Sequence, residues 1–162
     1  MRRLFLSVFG AGYLKPAPGT WGSLAALPLG WILYVVGGPF AFLAGILLVT
    51  ALGILAITAE MTQTGDHDPG WIVIDEVAGQ WIALLPVAFG AWRAEVPVTA
   101  LWPGIVAAFL AFRLFDIWKP GLVGTADARD DAAGVMLDDL WAGVFAAVVV
   151  IALAALAHAG FV

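Results

Sequence analysis

Cysteine is absent from the 162 residues, so disulfides and thiolate metal sites are excluded. Charge is scarce: 12% of residues are Asp, Glu, Lys or Arg, about half the share found in a soluble domain. Only 7 residues are Lys or Arg, too few to coat a nucleic-acid surface, so no nucleic-acid partner is expected. Internal repeats and low-complexity tracts are missing too. What is present is apolar: 63% of the chain is hydrophobic. At this length, that composition implies a single integral membrane domain over residues 1–162.

The opening stretch MRRLFLSVFGAG places two arginines before a short apolar run, as a signal peptide would. No A-x-A-like cleavage site follows, and the next residues are rich in Gly and Pro. A short helix at the membrane surface is therefore expected.

A membrane-crossing helix needs about 20 apolar residues, and about 17 suffice. Residues 40–59 and 140–157 meet this need, and 99–115 is adequate with Pro103 near its start. Residues 77–92 are short and contain Pro86, which predicts a kink. Residues 24–36 form the weakest segment, re-entrant or spanning. The expected fold is all-α: a polytopic membrane helical bundle with four or five membrane segments. Ala41 and Gly45, four apart, offer a helix-packing face.

Loops are expected at 10–23, 37–39, 60–74, 93–98 and 116–136. If all five segments cross, the first, third and fifth loops share a face with the N-terminus. That face holds Arg2, Arg3, Lys15, Lys119 and Arg129, with Arg113 at a helix end, whereas the other holds Arg93. The positive-inside rule then puts the three longer loops in the cytoplasm. Tryptophans at 21, 71, 81, 92, 102, 118 and 141 lie near the expected helix ends, where interfacial belts form.

Against this background, the carboxylates are conspicuous. Asp75 and Glu76 adjoin in "IVIDEVAGQW", Asp138 and Asp139 in "GVMLDDLWAG", and Asp116 sits in "FRLFDIWKP". A carboxylate within a membrane costs about 2.5–3.5 kcal/mol on insertion scales. Either these pairs are helix starts at the water boundary, favoured by the helix dipole, or a cation compensates them. Carboxylates from three helix ends could bind Mg²⁺, which prefers oxygen ligands. His67, in "GDHDPG", is a candidate for acid–base work or a solvated loop residue; His158 lies on the other face and is incidental.

Two stretches suit an anion. "KPAPGTWGS", from Lys15 to Ser23, leads into a helix; it is either a phosphate-binding helix start with Gly19, Thr20 and Ser23 or a Pro-Gly turn capped by Ser23. Arg113, Asp116 and Lys119 follow i, i+3, i+6 spacing, and Pro120 should stop the helix at Lys119. Arg113 and Asp116 could form a structural salt bridge. Beside a metal site, Arg113 and Lys119 could instead hold phosphate oxygens.

The motifs "GYLKPAPGTWGSLAALPLG", "HDPGWIVIDEVAGQWIAL", "FRLFDIWKP" and "GVMLDDLWAG" closely resemble the phosphatidylglycerophosphatase A family, in family order and over most of the chain. The resemblance implies a multi-pass enzyme of the bacterial inner membrane. It would remove the terminal phosphate of phosphatidylglycerophosphate in the cytoplasmic leaflet with Mg²⁺, on the route to phosphatidylglycerol and cardiolipin. It assigns Asp75 and Glu76 to the family's DE pair, Asp138 and Asp139 to its DD pair, and Arg113, Asp116 and Lys119 to its FR..D..KP segment. Gly19, Thr20 and Ser23 fall in its PGT.GS loop, and His67 and Asp68 in its HD.G loop. The five carboxylates are expected to be catalytic and metal-binding, with His67 as a further catalytic candidate. Before the DD pair, the family's His-Gly-Gly-like stretch is replaced by "DDAAG", which removes a histidine acid there. A CDP-alcohol phosphotransferase would carry a DGxxAR-type opening, which is absent. A small cation transporter would place its carboxylates near mid-membrane. So small a bundle leaves room for a homodimer.

Overall fold

The computed structural model describes residues 1–66 and 69–160, and all its regular elements are helices. They are α1 (Arg2–Leu6), α2 (Pro18–Thr64), α3 (Ile74–Arg93), α4 (Trp102–Trp118), α5 (Leu122–Asp127) and α6 (Ala132–Ala159), with short 3-10 turns at Ala11–Tyr13 and Val98–Leu101. Three stretches are long and apolar enough to cross a membrane: Pro18–Thr64, Val98–Trp118 and Ala132–Ala159. Their outward faces carry Leu47, Leu48, Leu110, Leu114, Val148 and Ile151 exposed, as lipid-facing helices do.

α2 is a helical hairpin. Its two arms meet at Gly37 and Gly38, where the backbone leaves helical geometry. Gly38 sits at φ +66°, a region that suits a residue without Cβ. The arms fold back so that Gly30 lies against Phe42 and Gly45 against Leu33. The first arm starts at Pro18, not at residue 24 as expected. Proline suits the first turn of a helix, where its missing N–H has no helical partner. The longer arm, residues 18–36, reaches roughly 28 Å at 1.5 Å per residue, close to a bilayer core.

α3 is the centre of the bundle, packed against α2, α4 and α6. It continues as one helix through Pro86. Trp81 is buried rather than interfacial, and its indole N–H donates to the Ala26 carbonyl at 2.8 Å. Burial of a Trp requires such a partner. Trp92, Trp102 and Trp118 are exposed, as expected for helix ends.

Pro103 lies in the first turn of α4, and the helix stops at Trp118, as Pro120 dictates. Lys119 caps it in the left-handed region at φ 52°. The 116–136 stretch is not wholly loop, since it contains α5. α6 begins at Ala132, not near 138. Its N-cap is Asp131, whose carboxylate accepts the Gly134 amide at 2.7 Å. Asp138 and Asp139 therefore lie about two turns inside a helix, beyond reach of the dipole account, whereas Asp75 and Glu76 do occupy the first turn of α3.

At one end of the bundle, α1 folds under the end of α2. Glu60, fully covered, takes Arg2 Nε and Arg3 Nε, each at 2.8 Å. The Arg3 guanidinium lies over Trp71, Tyr13 stacks on the same indole, and Val73 N–H donates to Leu6 O at 2.9 Å. These contacts fix the strand of chain that leads into α3. The described parts of the first, third and fifth interhelical stretches all gather at this end.

Candidate active site

Helix–helix contact through glycine brings the carboxylates together. A Cβ on Gly143 of α6 would lie about 3 Å from the Gly79 carbonyl carbon and Cα, so α3 and α6 touch backbone to backbone. A Cβ on Gly79 would meet the Phe112 ring at 2.6 Å and the Asp139 carbonyl carbon at 2.9 Å. Gly79 is one turn beyond Asp75 and Glu76, and Gly143 one turn beyond Asp139. The crossing therefore sets the two acidic pairs side by side.

They wall a cavity of about 350 Å³, which Asp75, Glu76, Asp116, Asp127, Asp130, Asp138 and Asp139 line together with Gly19, Lys119 and Arg129. Within it, single carboxylate oxygens of Glu76, Asp116 and Asp139 lie within 4.8 Å of one another. Behind this trio stands Arg113, which is not part of the lining. Its Nη1 pairs with Glu76 and lies 2.9 Å from Asp116 Oδ2 and 3.3 Å from Ser23 Oγ. Ser23 is buried within α2, its hydroxyl 2.9 Å from both Gly19 O and Glu76 Oε2. At Gly19 a Cβ would overlap the Glu76 carboxylate and come 3.2 Å from Arg113 Nη1, so a side chain there would displace these groups.

Lys119 crosses the wall. Its ammonium pairs with Asp127 and donates to Asp138 Oδ2 at 3.0 Å. Burial opposes its charge, but the hydrogen bonds to these two carboxylates outweigh that and hold its pKa above the ordinary lysine value. The left-handed Lys119 backbone turns the chain toward α5.

A donor set for a hard cation exists here. Asp139 Oδ1 is buried with no hydrogen-bond partner among the described residues. A buried, unpaired carboxylate oxygen is costly unless something positive satisfies it. Three carboxylates at this separation fit Mg²⁺, which takes oxygen ligands and keeps several waters.

All five carboxylates expected from the sequence thus face one cavity, joined by Lys119 and Gly19. Arg113 and Ser23 support it from behind. Lys15 is exposed and Thr20 half-buried, and neither belongs to the lining. His67 and Asp68 lie outside the described residues. Sequence reasoning passes over Asp127, Asp130 and Arg129 as site residues; the dense charge from Asp127 to Asp131, just ahead of a membrane-length helix, is the signal that points to them.

An all-α bundle with apolar outer faces and an acidic, cation-braced cavity is the architecture of a helical membrane protein with a polar site at one end of the bundle. The phosphatidylglycerophosphatase A family profile matches residues 4–154, and the chain belongs to that family of phosphatases. It is 40% identical over 146 residues to phosphatidylglycerophosphatase A of Haemophilus influenzae, covering 90% of this chain and 83% of that protein. It is 33% identical over 140 residues to phosphatidylglycerophosphatase A of Escherichia coli, covering 86% and 75%. A Bacteroides thetaiotaomicron protein whose name carries a provisional phosphatidylinositol-3-phosphatase assignment is 36% identical over 148 residues, covering 88% and 86%. No solved structure matches this chain.

Proposed function

We propose that this protein hydrolyses the terminal phosphomonoester of phosphatidylglycerophosphate to phosphatidylglycerol and inorganic phosphate, with Mg²⁺, on the route to phosphatidylglycerol and cardiolipin. The observation that carries this reading is the acidic cavity at one end of an otherwise apolar bundle. Among the described residues, seven carboxylates line it against two cations. A phosphate dianion would be repelled from such a wall unless a divalent cation intervened. Glu76, Asp116 and Asp139 would hold Mg²⁺, which neutralises phosphate charge and polarises the ester when bound.

The protein's own groups do the rest. Arg113 braces Glu76 and Asp116 from behind and limits their mutual repulsion. Lys119, on the wall, would meet a phosphate oxygen. The first turn of α2, at Gly19, presents the positive end of a helix dipole to the same space. Asp75, on the wall beside Glu76, would accept a proton from an attacking water. In the overall reaction, water adds oxygen to phosphorus, the P–O bond to glycerol breaks, and the glycerol oxygen leaves with a proton.

The site end carries Arg2, Arg3, Lys15, Lys119 and Arg129, and the opposite end Arg93. That asymmetry supports a multi-pass inner-membrane protein with the cavity in the cytoplasmic leaflet. The outer apolar faces leave space for a homodimer.

The test is phosphate release by purified protein in mixed micelles. Phosphatidylglycerophosphate should be hydrolysed with Mg²⁺ and not in EDTA. Phosphatidylinositol 3-phosphate belongs in the same panel, given the Bacteroides relative's name. Undiminished turnover in EDTA would overturn the metal assignment, and no turnover of phosphatidylglycerophosphate would overturn the substrate.

A further inference from the structure

We infer that the cavity contains a second anion subsite, formed by Arg129 at its rim, that binds the phosphodiester of the lipid while the carboxylate end takes the phosphomonoester. This rests on the reading above and deepens it. The substrate class is a phospholipid carrying a phosphomonoester and a phosphodiester on one polyol headgroup.

The charge layout is the first ground. Lys119 and Arg129 are the cations that line the cavity among the described residues. The two carboxylates that hold Lys119, Asp127 and Asp138, also line it, so the positive charge of Lys119 is matched inside. The ion-pair partner of Arg129 is Asp131, which is not part of the lining. Arg129 therefore lines the cavity while the carboxylate paired with it does not.

The second ground is placement. Arg129 donates to Asp131 through Nε at 3.2 Å and Nη2 at 2.7 Å, and Asp131 also accepts the Gly134 amide that starts α6. The Arg129 backbone is packed close on Gly134, where a Cβ would lie 2.9 Å from Arg129 O. The guanidinium is thus tied to the helix that carries Asp138 and Asp139. Half of its side chain remains exposed. Arginine binds phosphate oxygens through two parallel N–H groups, which suits a diester.

The experiment compares wild type with Arg129→Gln and Arg129→Lys in mixed micelles with Mg²⁺. Phosphatidylglycerophosphate supplies both phosphates; phosphatidate, tested as substrate and as competitor, supplies the monoester alone. Arg129→Gln should raise KM for phosphatidylglycerophosphate about 10- to 100-fold, the loss of one hydrogen bond to a charged group, with kcat within about twofold. Its constants for phosphatidate should not move, and Arg129→Lys should recover part of the loss. Equal losses on both lipids, or a fallen melting temperature that accounts for them, would mean Arg129 only braces the start of α6 and would overturn the subsite. So would an unchanged KM. If wild type leaves phosphatidylglycerophosphate intact, the function reading fails separately. The same ratios are then read on phosphatidylinositol 3-phosphate, and no turnover there overturns the subsite as well.

Discussion

Gly79 and Gly143 lie backbone to backbone, and this contact sets the spacing of the acidic pairs one turn away on α3 and α6. Any side chain at either position must push the helices apart. Gly143→Leu is expected to reduce phosphate release by at least about tenfold and to lower the melting temperature in detergent, since overpacking a tight contact costs about 1–3 kcal/mol. An active Gly143→Leu of normal stability would show that the crossing does not set the site.

Asp139 supplies a buried carboxylate oxygen with no hydrogen-bond partner among the described residues. Asp139→Asn should raise the Mg²⁺ concentration for half-maximal turnover by more than tenfold. It should also shrink the rise in melting temperature that Mg²⁺ gives the wild type, because a ligand stabilises only the state that binds it. Asp75→Asn should behave differently: kcat falls about 10²- to 10⁴-fold, as for a lost general base, while thermal stabilisation by Mg²⁺ persists. A Mg²⁺ titration followed by both activity and melting temperature separates the two.

Much of this was legible in the chain. Apolar runs read against bilayer thickness mark the long helices, and charge parity brings the polar stretches to one end. Three things were not legible, each for a physical reason. Helix starts at Pro18 and Ala132 escape hydropathy, because a helix continues past the lipid boundary where its residues turn polar. Glu60 reads as the first residue of a loop, yet α2 runs on to Thr64 and the carboxylate is covered by Arg2 and Arg3. Those two arginines look purely topogenic in sequence. The Arg113–Asp116 pair follows from i, i+3 spacing, but the pairing of Arg113 with Glu76 depends on the α3–α4 contact, which no local pattern encodes.

The Glu60 clamp makes its own prediction. Glu60→Ala should destabilise the protein by on the order of 2 kcal/mol, the scale of hydrogen bonds to a charged group. It should also expose the N-terminal segment to protease ahead of the rest of the chain. Arg3→Ala alone should cost less, because Arg2 still reaches the carboxylate. Proteolysis and melting curves that match wild type in Glu60→Ala would remove the clamp from the account.

Lys119 holds a left-handed backbone at φ 52° while its ammonium reaches Asp138. A residue with Cβ pays about 1–2 kcal/mol for that conformation, and glycine does not. Lys119→Gly and Lys119→Ala both remove the ammonium, so both should lose activity. Lys119→Gly should nevertheless be the more stable of the two by about 1 kcal/mol. Equal melting temperatures for the pair would show that the backbone at Lys119 is not strained.

Asp131 connects stability to pH. Its carboxylate is held below the ordinary aspartate range first by the Arg129 hydrogen bond and then by the Gly134 amide at the start of α6. A group whose folded pKa is depressed contributes stability above its unfolded pKa of about 3.9, and loses it as pH falls through the lower folded value. The melting-temperature gap between wild type and Asp131→Ala should therefore be full at pH 6 to 7, as is usual for a carboxylate N-cap. It should close as the pH drops below about 4. A gap that stays constant down to that pH would mean the variant acts through packing at the α6 start rather than through the charged cap.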